Sequence, residues 1–225
     1  MTPVFKHALG ADFDRLHPHL AWRYGIDSTS SVAVEATGIL ETIYVSGALP
    51  APLVRYYGKR GAIPSRSSRM VPFAENHYCY RDELGRESLA ILRTFEYSAG
   101  PTRFNSVKVA ASAGITDYFG DGPEMLSQLD VSVTSRGDLL LESGPLRWLD
   151  RGPIFGMRRI FDARMKYMEG WDEKNQRFRC DAVVRTPVFG QVFRFRGWFT
   201  AVDRQCELRD IPDEAWPEAL VDRES

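Results

Sequence analysis

The sequence has few of the residues that build disulfide frameworks or metal sites. Its three cysteines, Cys79, Cys180 and Cys206, lie far apart among 225 residues, and no CxxC motif is present. The four histidines do not join them at the spacing of metal ligands. This pattern argues against a disulfide framework or a zinc site, and we expect neither a metal nor another cofactor.

Long apolar runs and a basic excess are also missing. The chain contains no stretch of about 18 apolar residues, so we expect no transmembrane helix. The N-terminal segment is charged and lacks the apolar core of a signal peptide. The formal net charge of −1 lacks the basic excess of nucleic-acid-binding proteins. We therefore expect a cytoplasmic protein that binds no nucleic acid.

Lysine is scarce beside arginine, with 5 lysines against 24 arginines. An arginine-favouring genome would produce this bias. Recognition of carboxylate or phosphate groups would also produce it, because the planar guanidinium suits those groups.

We predict one domain, 1–225, with three segments. Residues 1–25 predict helices, with Pro18 either interrupting the second helical stretch or lying in its first turn. Residues 31–203 alternate between apolar and polar positions and contain short hairpin turns. Residues 204–225 form an acidic tail that we expect to wrap the surface. The segment from Ile39 to Tyr57 is compatible with helix or strand.

This order of elements predicts an α+β fold that is mainly β. We expect a curved antiparallel sheet, a half-barrel or barrel-like meander of about eight or nine strands, packed on the N-terminal helices. A curled sheet must be filled on its concave side, either by those helices or by a ligand.

The stretch QVFRFRGWF, residues 191–199, shows the strand alternation most clearly. The aromatic side of this pattern contains Phe193, Phe195 and Phe199, and the other side contains Arg194, Arg196 and Trp198. The two preceding predicted strands continue the aromatic side with Phe161 and Phe178. Because burying unpaired arginines is costly, we expect the phenylalanines to point inward. The arginine side is then a solvated exterior, an anion-recognising surface or a docking face.

Two histidines are candidates for acid–base chemistry. His17 lies in DFDRLHPH, close to two aspartates, and His77 lies on the apolar parity of a predicted strand. Either histidine, with a carboxylate in hydrogen-bond reach, would suit general acid–base catalysis. Each is also explained as a hydrogen-bonded structural residue. No nucleophile elbow, P-loop, zinc-protease or dinucleotide-binding motif stands in a suitable context.

Three stretches, ALGADFDRLHPHL, ESGPLRW and RFRCDAVVRTPVFGQVFRFRGWF, together resemble a bacterial domain of unknown function, domain of unknown function 4166. The shared pattern is an N-terminal LG..F..LHP, a central GP after a strand and a closing P..G.....YRGW. Its positions here are Leu9–Gly10, Phe13, Leu16–Pro18, Gly144–Pro145, Pro187, Gly190 and Arg196–Trp198. Phe195 departs from the pattern, which has tyrosine there, and this removes a hydroxyl group.

The resemblance implies a single domain over most of the chain and implies no particular activity. It also implies a link to small-molecule metabolism, because the family occurs alone or fused behind saccharopine-dehydrogenase-like domains.

Three functions remain open from the sequence. The first is a non-catalytic module that binds a small hydrophobic or amphipathic ligand, or an anionic molecule, in the concavity of the sheet, and it predicts an apolar cavity of a few hundred Å³. The residues expected to contribute are Phe161, Phe178, Phe193, Phe195, Phe199, Trp198, Arg194, Arg196 and His17. The arginines would lie at the rim and hold a carboxylate or phosphate group. The second is an accessory domain that docks on a dehydrogenase-like protein or on itself. The third is an enzyme that uses His17 or His77 with a carboxylate. The sequence does not determine the oligomeric state.

Overall fold

The computed structural model describes residues 1–64, 66–111, 114–120, 125–148 and 162–216. Three short α-helices lie in these ranges: α1 (Val4–Leu9), α2 (Pro18–Tyr24) and α3 (Ala51–Lys59). Short 3-10 helices cover Gly10–Arg15, Leu208–Asp210 and Asp213–Ala215. The strands are β1 (Val32–Val45), β2 (Ser68–Arg81), β3 (Glu87–Tyr97), β4 (Gly100–Arg103), β5 (Ser106–Ala111), β6 (Gly114–Phe119), β7 (Met125–Val133), β8 (Leu139–Ser143), β9 (Arg147–Trp148), β10 (Arg164–Asp172), β11 (Arg177–Thr186) and β12 (Gly190–Gln205).

Ten of the twelve described strands form a closed antiparallel barrel. They pair in chain order as β1, β2, β3, β5, β6, β7, β8, β10, β11 and β12, and β12 returns to pair with β1. The short strands β4 and β9 pair only with β3 and β7, respectively. The expected antiparallel meander is confirmed, whereas the open half-barrel of eight or nine strands is wrong. Closure comes from the pairing of β12 with β1, which extends from Val32 to Val45.

The pairing of β1 with β12, which we call the seam of the barrel, depends on two glycines. A Cβ atom at Gly38 would overlap the carbonyl oxygen of Trp198, and one at Gly197 would overlap that of Ile39. Backbone atoms cannot move away as a flexible side chain can, so both positions need glycine. A β-bulge follows between Leu40 and Thr42, where the pairing register shifts.

The N-terminal helices close one end of the barrel. Val4 and Phe5 of α1, and Leu20 and Tyr24 of α2, are buried in the same apolar core as the inward side chains of the strands. Pro18 is the first residue of α2, where its missing N–H is not needed. The first-turn placement of Pro18 is therefore confirmed.

Helix α3 and the residues after it close the opposite end. Tyr57 of α3 and Ala62 pack with Met125 at the start of β7. The segment that was compatible with helix or strand therefore contains both, because β1 ends at Val45 and α3 begins at Ala51.

Residues after β12 pack on the outside of the barrel. Ile211 and Ala215 are buried against outward side chains of β2, β3 and β5. The Tyr80 hydroxyl donates a hydrogen bond to the Ala215 carbonyl at 2.8 Å, and the Trp216 ring lies 4.0 Å from the Tyr80 ring. The tail covers an apolar strip of the barrel wall. Within the described ranges, no helix has the length and apolar character needed to cross a membrane.

Candidate functional site: a cavity above a buried charged cluster

A cavity of about 160 Å³ lies inside the barrel, between the N-terminal helices and α3. Its volume is smaller than the few hundred Å³ expected from the sequence. The apolar part of its wall includes Phe104, Phe193, Phe195, Met165 and Val184. Polar side chains enter the wall as Tyr24, Arg93, Ser106, Lys108, Asp117, Ser127, Ser143, Tyr167 and Thr186. Apolar surface therefore dominates, with polar groups grouped among it.

A group of buried ionisable residues lies beside the cavity, and we call it the charged cluster: Arg23, Glu75, His77, Arg93 and Glu169. Glu75 is its central acceptor. One oxygen accepts a hydrogen bond from Arg23 Nη2 and the other from Arg93 Nε. His77 Nε2 lies 2.9 Å from Glu75 Oε1 and 3.0 Å from Arg23 Nη2, so it adjoins both members of the Arg23–Glu75 pair. Two guanidinium groups and an imidazole therefore share one carboxylate.

Glu169 is the second carboxylate of the charged cluster and has different partners. Its Oε2 accepts hydrogen bonds from the hydroxyls of Tyr24 at 2.8 Å and Tyr167 at 2.5 Å. Its Oε1 lies 3.1 Å from Arg23 Nε. The Arg23 guanidinium lies 4.8 Å from the centre of the Phe199 ring, close enough for a cation–π interaction. Arg23 is thus fixed between carboxylates and aromatic rings.

Burial and charge act differently on the three titratable groups next to the arginines. Burial alone would raise the pKa of the Glu75 carboxyl, but Arg93 and Arg23 hold it well below its ordinary value. Burial raises the pKa of the Glu169 carboxyl despite the opposing effect of Arg23. Burial and the positive charge of Arg23 lower the pKa of His77 to about 3. At neutral pH His77 is therefore uncharged and Glu75 is ionised.

A second buried ion pair lies in the cavity wall itself. Lys108 Nζ lies 3.0 Å from Asp117 Oδ1 and donates to Ser106 Oγ at 2.9 Å. Burial lowers the pKa of the Lys108 amine, against the opposing effect of Asp117. Burial likewise raises the pKa of the Asp117 carboxyl, against that of Lys108. Both shifts favour the neutral forms of Lys108 and Asp117 more than water does.

The phenylalanines predicted to contribute to a site occupy two levels of the barrel. Phe193 and Phe195 line the cavity. Phe178 and Phe199 are buried away from it, stacked on each other at 5.0 Å and adjoining Arg23. Phe161 lies outside the described residues. The expected inward orientation is thus present at the four described positions.

The arginines predicted at a binding rim lie on the outer surface, in a group that we call the arginine face: Arg177, Arg194 and Arg196 with Trp198. Arg194 Nε donates to Asp181 Oδ1 at 3.0 Å, and Arg196 Nε lies 3.7 Å from Glu41 Oε2. Arg177 lies over the Trp198 ring at 4.3 Å. Strand alternation directs these side chains away from the interior, so Arg194, Arg196 and Trp198 do not line the cavity.

The two candidate histidines lie in separate places. His17 caps α2, and its Nε2 lies 2.9 Å from Glu173 Oε1 at the outer end of the barrel. His77 pairs with Glu75 but is fully buried and absent from the cavity wall. Each histidine therefore has a carboxylate within hydrogen-bond reach, and the cavity brings neither of them to a bound molecule.

Sequence reasoning missed most of the polar residues at the site. Glu75 and Arg93 lie at inward positions of β2 and β3, and Glu169 continues the inward parity of Met165 and Tyr167 in β10. A charged residue on the apolar parity of a strand is the signal that would have found Glu169. Arg23 is buried from a helix, and no pattern in the sequence marked it.

Comparisons with known proteins place the chain in a family. The chain is 22% identical over 208 residues to the uncharacterized protein YndH of Bacillus subtilis (strain 168), an alignment that covers 91% of this chain and 100% of that protein. Residues 16–199 match the profile described as "Domain of unknown function (DUF4166)". That range includes every residue of the charged cluster and both members of the Lys108–Asp117 pair. The chain therefore belongs to the DUF4166 family.

Proposed function

We propose that the barrel is a binding module that holds a small, mostly apolar molecule in its interior cavity. The cavity itself is the observation that supports this proposal. Well-packed interiors contain few voids larger than a water molecule, and this one is lined by Phe104, Phe193 and Phe195. Polar groups such as Tyr24 and Tyr167 lie in the same wall. This combination is typical of small-molecule sites, where apolar surface binds and a few polar groups orient.

The size of the cavity limits the ligand. An apolar cavity of about 150 Å³ holds a molecule of the size of benzene, and the cavity here has a volume of about 160 Å³. The ligand is therefore one ring or a short alkyl chain.

The test combines native mass spectrometry with a binding measurement. Mass spectrometry of the protein purified under non-denaturing conditions shows whether a small molecule accompanies it. Isothermal titration with 1-hexanol then measures binding of a short apolar chain. We expect wild-type protein to bind hexanol, and Ala182→Leu to weaken binding by about tenfold because the added methyl groups occupy the cavity.

Val183→Leu is the matched control for this substitution. Val183 neighbours Ala182 in β11 but faces outward, opposite Arg194 of β12. We expect hexanol affinity within about twofold of wild type, because a methylene outside the cavity removes no ligand contact. Absence of hexanol binding and of any co-purified molecule would contradict the proposal, as would equal binding by Ala182→Leu and wild type.

The two other functions have weaker support from the geometry. Docking on a dehydrogenase-like partner or on a second copy predicts a core without a pocket and an exposed apolar or arginine-rich patch engaged by the partner, whereas this core contains a cavity and Arg194 and Arg196 pair with acidic neighbours. Catalysis by His77 requires access for a substrate, and its side chain is enclosed by the charged cluster. A dehydrogenase-like partner remains a prediction of the family resemblance.

A further inference from the structure

Arg93 has the least satisfied cationic group in the cavity wall. Its Nε donates to Glu75 Oε2, while Nη1 and Nη2 have no hydrogen-bond partner among the described residues. The side chain is 11% exposed and occupies an inward position of β3, so its exposed part faces the cavity. The Phe104 ring lies 5.5 Å from the guanidinium carbon. Nη1 and Nη2 of this guanidinium therefore carry four N–H donors that can bind a group in the cavity.

Lys108 adds a further donor on the same wall. Lys108 of β5 pairs with Leu89 of β3, four residues along the strand from Arg93, and both Lys108 and Arg93 contribute side chains to the cavity wall. The Lys108 ammonium has three hydrogens and uses two of them, for Asp117 and Ser106. One N–H of Lys108 is left to bind a group in the cavity.

The charge balance around these donors also favours a negative ligand. Arg23 and Arg93 share Glu75 as their common carboxylate. Glu169 completes the balance around Arg23 and Arg93 only when it is ionised, and burial opposes its ionisation. An unpaired buried cation is costly, so an anion that pairs with Arg93 replaces solvation lost on folding.

We propose that the ligand is a carboxylate with a short apolar chain, whose carboxylate accepts hydrogen bonds from Nη1 and Nη2 of Arg93 and from Nζ of Lys108. The chain lies among Phe104, Phe193 and Phe195. The planar fork of arginine matches a carboxylate through two parallel hydrogen bonds. This assignment rests on the proposed binding function and adds the chemical class of the ligand to it.

Three probes of equal chain length test the assignment by titration calorimetry: hexanoate, 1-hexanol and hexylamine. We expect hexanoate to bind at least tenfold more tightly than hexanol, and hexylamine more weakly than both. Equal binding of hexanoate and hexanol would overturn the carboxylate assignment and leave the cavity function intact. Failure of all three probes to bind would instead overturn the proposed function.

Arg93→Met separates recognition of the carboxylate from binding of the chain. We expect this variant to lose the preference for hexanoate while keeping hexanol affinity within about threefold, because the apolar stem still fills the wall. Arg196→Met, on the arginine face, is the control and should keep the full preference. Retention of the preference by Arg93→Met would overturn the assignment. If Arg93→Met does not fold, the three probes on wild type and on Lys108→Met decide, since Lys108→Met should reduce the same preference.

Discussion

The charged cluster and the arginine face use the same chemical groups in opposite environments. On the arginine face, Arg194 pairs with Asp181 while its side chain is 40% exposed, and Arg196 is 57% exposed. In the charged cluster, the side chain of Arg23 is 0% exposed and that of Glu75 is 5% exposed. Water competes for the outer pairs but not for the inner ones. The number of arginines in the sequence is thus a poor guide to function. Their role depends on whether each side chain lies inside the barrel or on its outer surface.

The energetic difference follows from desolvation. An exposed ion pair contributes about 0–1 kcal/mol, because water and salt screen it. A buried ion pair has a small net contribution as well, but removing one partner leaves an uncompensated charge and costs about 3–5 kcal/mol. The two regions should therefore respond very differently to equivalent substitutions.

Glu75→Gln should have the largest effect. Loss of this charge leaves Arg23 and Arg93 without their shared carboxylate, and we expect the free energy of unfolding to fall by about 3–5 kcal/mol. Urea unfolding followed by circular dichroism measures the change. Glu41→Gln removes the carboxylate beside Arg196 on the exterior and should cost less than about 1 kcal/mol. Similar costs for the two substitutions would show that burial does not separate the regions.

His77 should produce the next largest effect, as a pH dependence. In the unfolded chain its pKa is near the ordinary 6.5, whereas in the folded protein it is about 3. The unfolded state therefore binds a proton first as pH falls, and the stability present above pH 6.5 is lost progressively toward pH 3. The slope contributed by His77 is about 1.4 kcal/mol per pH unit.

The raised pKa values of Glu169 and Asp117 act in the opposite direction, because the folded state then binds protons before the unfolded state does. The informative quantity is therefore the difference between wild type and His77→Gln, measured by urea unfolding from pH 7 to pH 4. We expect the variant to have the shallower pH dependence. Parallel curves would mean that His77 is not the source of the acid sensitivity.

The smallest effect should come from the arginine face. A double-mutant cycle with Arg194→Gln and Asp181→Asn should give a coupling free energy of about 0.2–1 kcal/mol, decreasing at 1 M salt. Thermal or urea unfolding of the four proteins measures it. A coupling above about 2 kcal/mol that resists salt would indicate that this exposed pair behaves like a buried one.

Much of the architecture was predictable from alternation alone. The inward set Phe193, Phe195 and Phe199, the antiparallel meander and the helices within residues 1–25 follow from local patterns. Barrel closure was not predictable in the same way. It depends on the pairing of β1 with β12, which no local pattern in either strand specifies.

The wall around Lys108 shows why alternation fails at the site. In β5, Val107 and Val109 suggest the inward face and Lys108 the outward face. The structure reverses this, because the C-terminal tail covers Val107 and Val109 on the outside through Ile211. A strand covered on both faces has two apolar sides, so its polar residues do not indicate the direction of solvent. For this reason the sequence pattern did not predict that Lys108 faces the cavity.

The seam between the first and last barrel strands has a consequence for how the molecule is made. Val32 pairs with Gln205, and Val45 pairs with Phe193. Such distant pairing is slow because a long loop must be closed before the contacts form. During synthesis, β1 and β11 present unpaired edges until β12 emerges and joins them. The cavity therefore forms only when β12 pairs with β1 and β11. An N-terminal fragment that ends before Gly190 lacks β12 and contains no such cavity.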